Sequence, residues 1–352
     1  MPEPSYGIVF SGGGSFGAWE VGCYQAIKSR HRGIPPLVVT GASAGALNAA
    51  GVCATMDVER LTQLWSGLRN DDVYRNNLAD QFALSRKELF KLIFSSGRID
   101  LALQIAMKFL DENKSIFDAS PLQATLHDIF KPAVWQSFQQ SPTYFAISLT
   151  NLQSKKKEVF FKLPVGETLS EAARRQQQKT IWTQLGASSD LLVQALMGST
   201  ALPILFPPFG VYFDGGVLLN QPISPAIAMA DPKILYVVIP TAIALGVTNN
   251  IKQIGATVLE TWLSASLIAQ IEKIQLRNKI KTMSNSGAGE GENDTRTRIC
   301  VIRPPSDLER IFNMNLLTFG QSVRQMIAAG ADAANARLDI FDYQDENTWY
   351  DR

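Results

Sequence analysis

The sequence predicts an α/β fold, a largely parallel sheet with helices on its faces, and three observations point there. Short apolar runs recur along the chain and stop at glycine or proline, as buried parallel strands do. Stretches with apolar residues at helical spacing lie between them. The first two strand-to-helix junctions, SGGGSFG (Ser11 to Gly17) and TGASAGA (Thr40 to Ala46), consist mostly of small residues, so the chain can turn there without side-chain bulk.

YGIVFS (Tyr6 to Ser11) is the first strand. FGAWEVGCYQAIKSR follows, with Phe16, Trp19, Cys23 and Ile27 spaced for a helix packed on the sheet. LVVT (Leu37 to Thr40) is the second strand and the Ala-rich SAGALNAAGVCA the second helix. Over about 58–138 Leu61, Leu64, Trp65 and Leu68 keep helical spacing, and the region reads as a helical excursion off the sheet, without strands. TYFAISLTN and KKEVFFKL, separated by the polar LQSK, form a hairpin. ILYVVIP and RICVIRP are further buried strands, each stopped by proline; between them lie an amphipathic helix around Ile254 to Ile280 and a mobile polar loop at about 283–297. QSVRQMIAAGADAANARLDIF closes the chain with a helix, no internal repeat is visible, and residues 1–352 read as a single domain.

Composition narrows the function classes. The chain has 33 Lys and Arg against 32 Asp and Glu, so it carries no overall field of the kind that draws a protein onto nucleic acid, and no nucleic-acid partner is expected. Cys23, Cys53 and Cys300 are odd in number, widely spaced and without a CxxC, which argues against a disulfide framework and a cysteine zinc site and favours a reducing, cytoplasmic setting. No basic leader and apolar core precede the first strand, so a cleaved secretory signal is not expected, while export without one stays open. The longest apolar stretch, Ile234 to Val247, is too short to span a bilayer and is broken by Pro240 and Gly246.

The chemistry centres on GASAG (Gly41 to Gly45). A GxSxG between a strand and a helix sets its serine on a sharp turn with the hydroxyl exposed above the sheet, and LVVT before and ALNAAGV after supply that context for Ser43. A nucleophilic serine needs a base, and the two histidines are poorly placed. His31 sits in the polar SRHRG at a helix end that favours solvent, and His127 has only Asp128 beside it, which on a helix faces another way; both read as surface residues. Asp214, in GVYFDGGVLLNQP, lies at a strand end before two glycines. An Asp-Gly pair is also a common hairpin turn, but ALMGSTALPILFPPFG just upstream, with Pro203 and Phe206, suits a rigid pocket wall. A buried aspartate with a raised pKa can serve as general base to a serine.

Gly12, Gly13 and Gly14 leave backbone N–H groups unobstructed at a helix N-terminus, where they can stabilise an oxyanion. Gly12, Gly14 and Gly17 also satisfy GxGxxG, so an NAD-type dinucleotide-binding oxidoreductase is a rival. That fold wants an acidic residue at the end of the second strand, where this chain has Thr40 and Gly41.

A Gly-rich turn, a GxSxG about thirty residues on and a distant Asp-Gly-Gly, with no usable histidine, resemble the patatin-like phospholipases. GIVFSGGGSFGAWEVG, VVTGASAGALNAA, the AISLTNLQSKKKEVFF hairpin, GSTALPILFPPF and FDGG occur in the family's order. The resemblance implies a three-layer α/β/α fold, a dyad in which Ser43 attacks a fatty acyl ester with Asp214 as base, an oxyanion hole at Gly12, Gly13 and Gly14, and neither a metal nor an organic cofactor. Many family members carry Arg or Lys where this chain has Phe16; backbone dipoles alone would then hold the oxyanion, with Phe16 beside Pro203 and Phe206 in an acyl pocket.

The reading that follows is a lipid acyl hydrolase of the phospholipase A or lysophospholipase type. A catalytically silent lipid-binding protein is a further alternative, and acyl transfer to an acceptor other than water is a close relative that the sequence does not separate. The segment Phe82 to Phe109 mixes Phe90, Leu92, Ile93 and Phe94 with Arg86, Lys87, Lys91 and Arg98, as a cap over the pocket or a surface for contact with anionic membrane would.

Overall fold

The computed structural model describes residues 5–76, 115–175, 179–241, 267–281, 283, 296–306, 308–312 and 317–343. In chain order its strands are β1 (Tyr6–Phe10), β2 (Val38–Gly41), the two-residue β3 (Arg75–Asn76) and β4 (Phe117–Asp118), β5 (Tyr144–Asn151), β6 (Lys156–Lys162), β7 (Thr180–Gln184), β8 (Tyr212–Asp214), β9 (Ile234–Val238) and β10 (Arg298–Ile302). All but β3 and β4 join one eight-stranded sheet in the order β10-β9-β1-β2-β5-β6-β7, with β8 alongside β5. The strands from β10 to β5 run parallel; β6 returns antiparallel from the hairpin, β7 follows β6 in parallel, and β8 is antiparallel to β5.

The helices that matter for the site are α1 (Gly17–Arg30), α2 (Ala44–Cys53), α3 (Val58–Gly67), α4 (Ser120–Ile129), α5 (Ser189–Ser199), α6 (Ile223–Ala230), α7 (267–281) and α8 (Val323–Tyr343). They cover both faces of the sheet because the central strands are apolar on both. Ile8 and Phe10 of β1 join the cluster that holds Trp19, Ala49 and Leu196, while Val9 between them joins Ile223, Ile227 and Ile271 on the opposite face. Burial of each such side chain contributes about 1.5–3 kcal/mol. α1 and α8 cross backbone to backbone: a Cβ on Gly22 would lie 1.9 Å from Ile327 O, and one on Gly330 2.0 Å from Trp19 O. That contact anchors α1, and with it the glycine turn at its N-terminus.

The strands read from the sequence are present, and the fold is the expected mixed α/β architecture. Three details differ. The excursion holds helices at Val58–Gly67, Ser120–Ile129 and Pro132–Gln140, but also the antiparallel β3–β4 ribbon, whose two-residue strands are too short to leave a periodic signal. β7 was not anticipated; TIWTQ is half-buried at the sheet edge and lacks a clean apolar run. His31 is not a surface residue. It is 5% exposed, its ring stacks on Tyr6 at 3.8 Å between centroids, and its Nε2 lies 2.9 Å from the Tyr236 hydroxyl.

The segment Phe82 to Phe109, the first part of the helix around Ile254 to Ile280 and most of the loop at about 283–297 lie outside the described residues. Among the described residues no helix is long and apolar enough to cross a membrane.

Candidate active site

One strand acts as the ruler for the site. β2 runs along the first half of β5 and ends with Gly41 opposite Ile147; β8 takes the same edge in the opposite direction and ends with Asp214 opposite Leu149. The other edge of β5 is filled by β6. The carboxyl ends of β2 and β8 therefore meet head to head, two β5 residues or roughly 7 Å apart. Ser43 follows Gly41 by two positions, so two segments far apart in sequence converge at one end of the sheet.

Ser43 has φ 51° and ψ −128°, a strained conformation for a residue with a side chain, as expected of a sharp strand-to-helix turn. The flanking glycines make it possible. A Cβ on Gly41 would sit 2.2 Å from Gly45 O, and one on Gly45 2.5 Å from the carbonyl oxygens of Phe10 and Ser11. The Ser43 amide donates to Ser199 Oγ at 3.0 Å, and that hydroxyl donates on to Ser148 O of β5 at 2.9 Å. The turn is thus tied to α5 and to the ruler strand.

The glycine turn faces Ser43. Gly14 adopts φ 55°, which favours glycine, and a Cβ on Gly13 would meet Pro240 at 2.4 Å. The three glycines are not equivalent as donors. Gly12 N–H is already bonded to Asn220 Oδ1 at 3.0 Å, whereas the Gly13 and Gly14 amides donate to no group among the described residues. Gly12 therefore orients the loop, which departs from the expectation that it donates to an oxyanion. Gly17 serves packing, since a Cβ there would lie 2.4 Å from the Trp65 ring.

Asp214 is 2% exposed. Its Oδ1 accepts the Gly216 amide at 2.7 Å, and Thr150 Oγ1 donates to its carbonyl at 2.9 Å. Burial pushes its pKa up to about 6, against the Ser43 hydroxyl and the Gly216 amide, which pull it down. Ser43 is close enough to act on the carboxylate yet is not seated in a regular hydrogen bond, because Oδ2 is buried without a partner.

Ser43, Asp214, Gly12, Gly13, Gly14, Phe16, Pro203 and Phe206 all line one cavity of about 820 Å³ whose wall is mainly apolar, with Leu47, Trp65, Met197 and Phe319 among its other residues. Every site residue expected from the sequence thus borders the same space. Neither histidine lines it: His31 is at the amino end of β1, and His127 Nδ1 faces Asp190 Oδ1 at 3.9 Å on the surface.

Several residues of the site were not singled out in the sequence. Ser199 and Asn220 hold the elbow and the glycine turn, and the only signal either left was a polar residue next to an apolar run, in MGST and LLNQ. A buried network also ties the two turns together. Asn48 Nδ2 lies 2.9 Å from Gly17 O and 2.8 Å from Glu20 Oε2, and Asn48 Oδ1 accepts Trp65 Nε1 at 2.8 Å. Burial raises the Glu20 pKa well above the usual carboxylate range.

The family model for patatin-like phospholipase matches residues 8–227, more than half of the chain, a span that includes Ser43, Asp214 and the glycine turn but not Pro240 and Phe319 of the cavity wall. The chain belongs to the patatin-like phospholipase family. Among solved structures it is similar to VipD from Legionella pneumophila, at 15% identity over 97% of this chain and 67% of that one, with a TM-score of 0.37. ExoU of Pseudomonas aeruginosa, in its heterodimeric complex with SpcU, matches at 14% identity over 96% and 52%, TM-score 0.38, and human GIVD cytosolic phospholipase A2 at 10% over 96% and 58%, TM-score 0.39. The chain spans between about half and two thirds of the length of these neighbours. No curated protein sequence matches it. Membership of the patatin-like phospholipases supports a lipid ester hydrolase and leaves the dinucleotide reading of Gly12, Gly14 and Gly17 without support.

Proposed function

We propose that this patatin-like phospholipase cleaves fatty acyl esters of phospholipids or lysophospholipids through an acyl-enzyme on Ser43, with Asp214 as general base, and that residues 1–352 form one such domain. The observation that carries the reading is the meeting of β2 and β8 on β5, which sets Ser43 beside a buried carboxylate at the wall of an apolar cavity. Asp214 accepts the Ser43 proton as Oγ bonds to the ester carbonyl carbon. The oxyanion forms against the Gly13 and Gly14 amides, with Phe16, Pro203 and Phe206 against the acyl chain. Collapse breaks the ester C–O bond, and the departing alcohol takes the proton back from Asp214. Water, deprotonated by Asp214, then attacks the acyl-enzyme carbonyl; the acyl–Oγ bond breaks, Ser43 Oγ takes the proton back from Asp214, and the fatty acid is released. A pKa of about 6 keeps Asp214 mostly ionised at neutral pH while leaving it basic enough to take a proton.

We also place the protein in a reducing compartment such as the cytoplasm, acting peripherally on membranes; Cys23, Cys53 and Cys300 are buried thiols, which fits. The direct test is labelling with a fluorophosphonate together with turnover of mixed phospholipids. Wild type should label at Ser43 and release fatty acid, and Ser43→Ala and Asp214→Asn should each lose at least about 10³-fold in turnover. Turnover that persists in either variant rejects the dyad, and absence of both labelling and turnover in wild type favours a lipid-binding protein.

A further inference from the structure

The carboxyl end of the sheet carries more than the cavity. β5 ends at Asn151 and β6 begins at Lys156, so the turn between them projects from this end, next to β8. Leu152 in that turn is 39% exposed, and its amide donates to the carbonyl of Val211, itself 37% exposed. Ile204 is 66% exposed although it borders the cavity. Its φ of 73° lies where a β-branched residue is strained, and the amides of Ile116 and Phe117 hold the segment by donating to the Ile204 and Leu205 carbonyls, each at 2.9 Å. The fold therefore maintains a strained backbone that keeps an aliphatic side chain in water at the cavity lip.

Lysines flank these aliphatic groups. Lys155 and Lys156 are exposed at the hairpin turn, Lys157 is half-buried in β6, Lys179 precedes β7 beside it, and Lys273 stands on α7. Burial lowers the Lys157 pKa, and the charges of Lys273 and Lys179 lower it further, so the three share one neighbourhood. None of the five forms an ion pair among the described residues. The adjacent carboxylate of Glu158 is buried and already bonded to Asn151, Thr183 and Tyr212. Positive charge without a counter-charge, next to exposed aliphatic side chains at the mouth of an apolar cavity, fits a surface that presents both phosphate and hydrocarbon.

We infer that this end of the molecule docks on a bilayer containing anionic phospholipid, with Lys155, Lys156 and Lys179 facing the headgroups and Leu152, Val211 and Ile204 entering the interface beside the cavity. The inference deepens the lipid-hydrolase reading, and docking is measured separately from chemistry by using the full chain with Ser43→Ala. That protein should sediment with vesicles of phosphatidylcholine and phosphatidylserine, and weakly with phosphatidylcholine alone. Replacing Lys155, Lys156 and Lys179 together by Gln should weaken sedimentation with the anionic vesicles by about fivefold per lysine, an effect that shrinks in high salt, while the three Lys→Arg replacements should retain it. Leu152→Ser with Val211→Ser should weaken it about tenfold, with little dependence on salt. In the Ser43 background all of these variants should hydrolyse a soluble short-chain ester within about twofold of wild type, which shows that they fold. Equal sedimentation of the Gln variant and its parent, or no preference for anionic vesicles, overturns the inference. Docking that persists when no variant hydrolyses any ester supports the surface and rejects the Ser43 reading instead.

Discussion

The two ends of the parallel strands each bury a group capable of acid–base chemistry, and they treat it in opposite ways. At the amino end His31 is closed in by Tyr6 and Tyr236, with 5% of its surface exposed, and it does not border the cavity that holds Ser43. At the carboxyl end Asp214 is buried to 2%, yet it borders a space of about 820 Å³ and neighbours a serine on a strained turn. Histidine has the ordinary pKa better suited to a base at neutral pH. Its neighbour here is a tyrosine hydroxyl whose pKa burial raises further, and Ser43 lies at the opposite end of the strands. Burial therefore does not make a base by itself; a base needs a nucleophile within reach and a void next to both.

The contrast breaks most sharply in activity. Asp214→Asn should lower lipid turnover by at least about 10³-fold, whereas His31→Asn should leave it within about threefold. A large loss on His31→Asn, with the fold intact by circular dichroism, would make the amino end part of the chemistry.

Stability should move in opposite directions at the two ends. The folded-state pKa of Asp214, about 6, lies above its ordinary 3.8, so the folded protein holds that proton more tightly than the unfolded chain. This contribution is fully present below pH 4 and is lost as pH rises through 6, a difference of about 3 kcal/mol. Asp214→Asn should accordingly raise unfolding free energy by up to about 3 kcal/mol at pH 8 and by little at pH 4, measured by urea denaturation. His31→Asn should instead lower it by about 2 kcal/mol, because a stacked ring is lost.

Two smaller effects sharpen the carboxyl end alone. Under the proposed mechanism Asp214 has to be ionised to accept the Ser43 proton, so kcat/KM should fall tenfold per pH unit below about 6, and a flat profile down to pH 5 would remove Asp214 as base. Ser199→Ala takes away the acceptor for the Ser43 amide and should reduce kcat by about five- to tenfold while changing KM little. An equal change in KM would show that Ser199 shapes the cavity and not the elbow.

Much of the fold was legible because its signals are local. An apolar run stopped by glycine or proline can be read from a few neighbours, and β1, β2, β6, β9 and β10 left that mark, while β5 was read from the polar LQSK turn that follows it. Ser43 was legible because GASAG lies between LVVT and ALNAAGV and Gly41 is crowded by Gly45 four positions on, although the carbonyls of Phe10 and Ser11 that crowd Gly45 come from the end of β1, across the sheet. β7 and the β3–β4 ribbon were not, since half-burial and two-residue length leave no period to detect. His31 was misread because the rings that cover it come from Tyr6 and Tyr236, one of them two hundred residues away.

By itself the sequence determined an α/β sheet with helices on its faces, a serine on an elbow, a glycine turn and, in Asp214, one carboxylate at a strand end as the candidate base. Tertiary structure alone decided that β2 and β8 share one edge of β5, which brings Asp214 to Ser43, and that Asn220 occupies the Gly12 amide, leaving Gly13 and Gly14 as the available donors. The physical reason is range. Strand propensity and turn sterics act between near neighbours, whereas strand register and the burial that raises the Asp214 pKa exist only once distant segments have packed together.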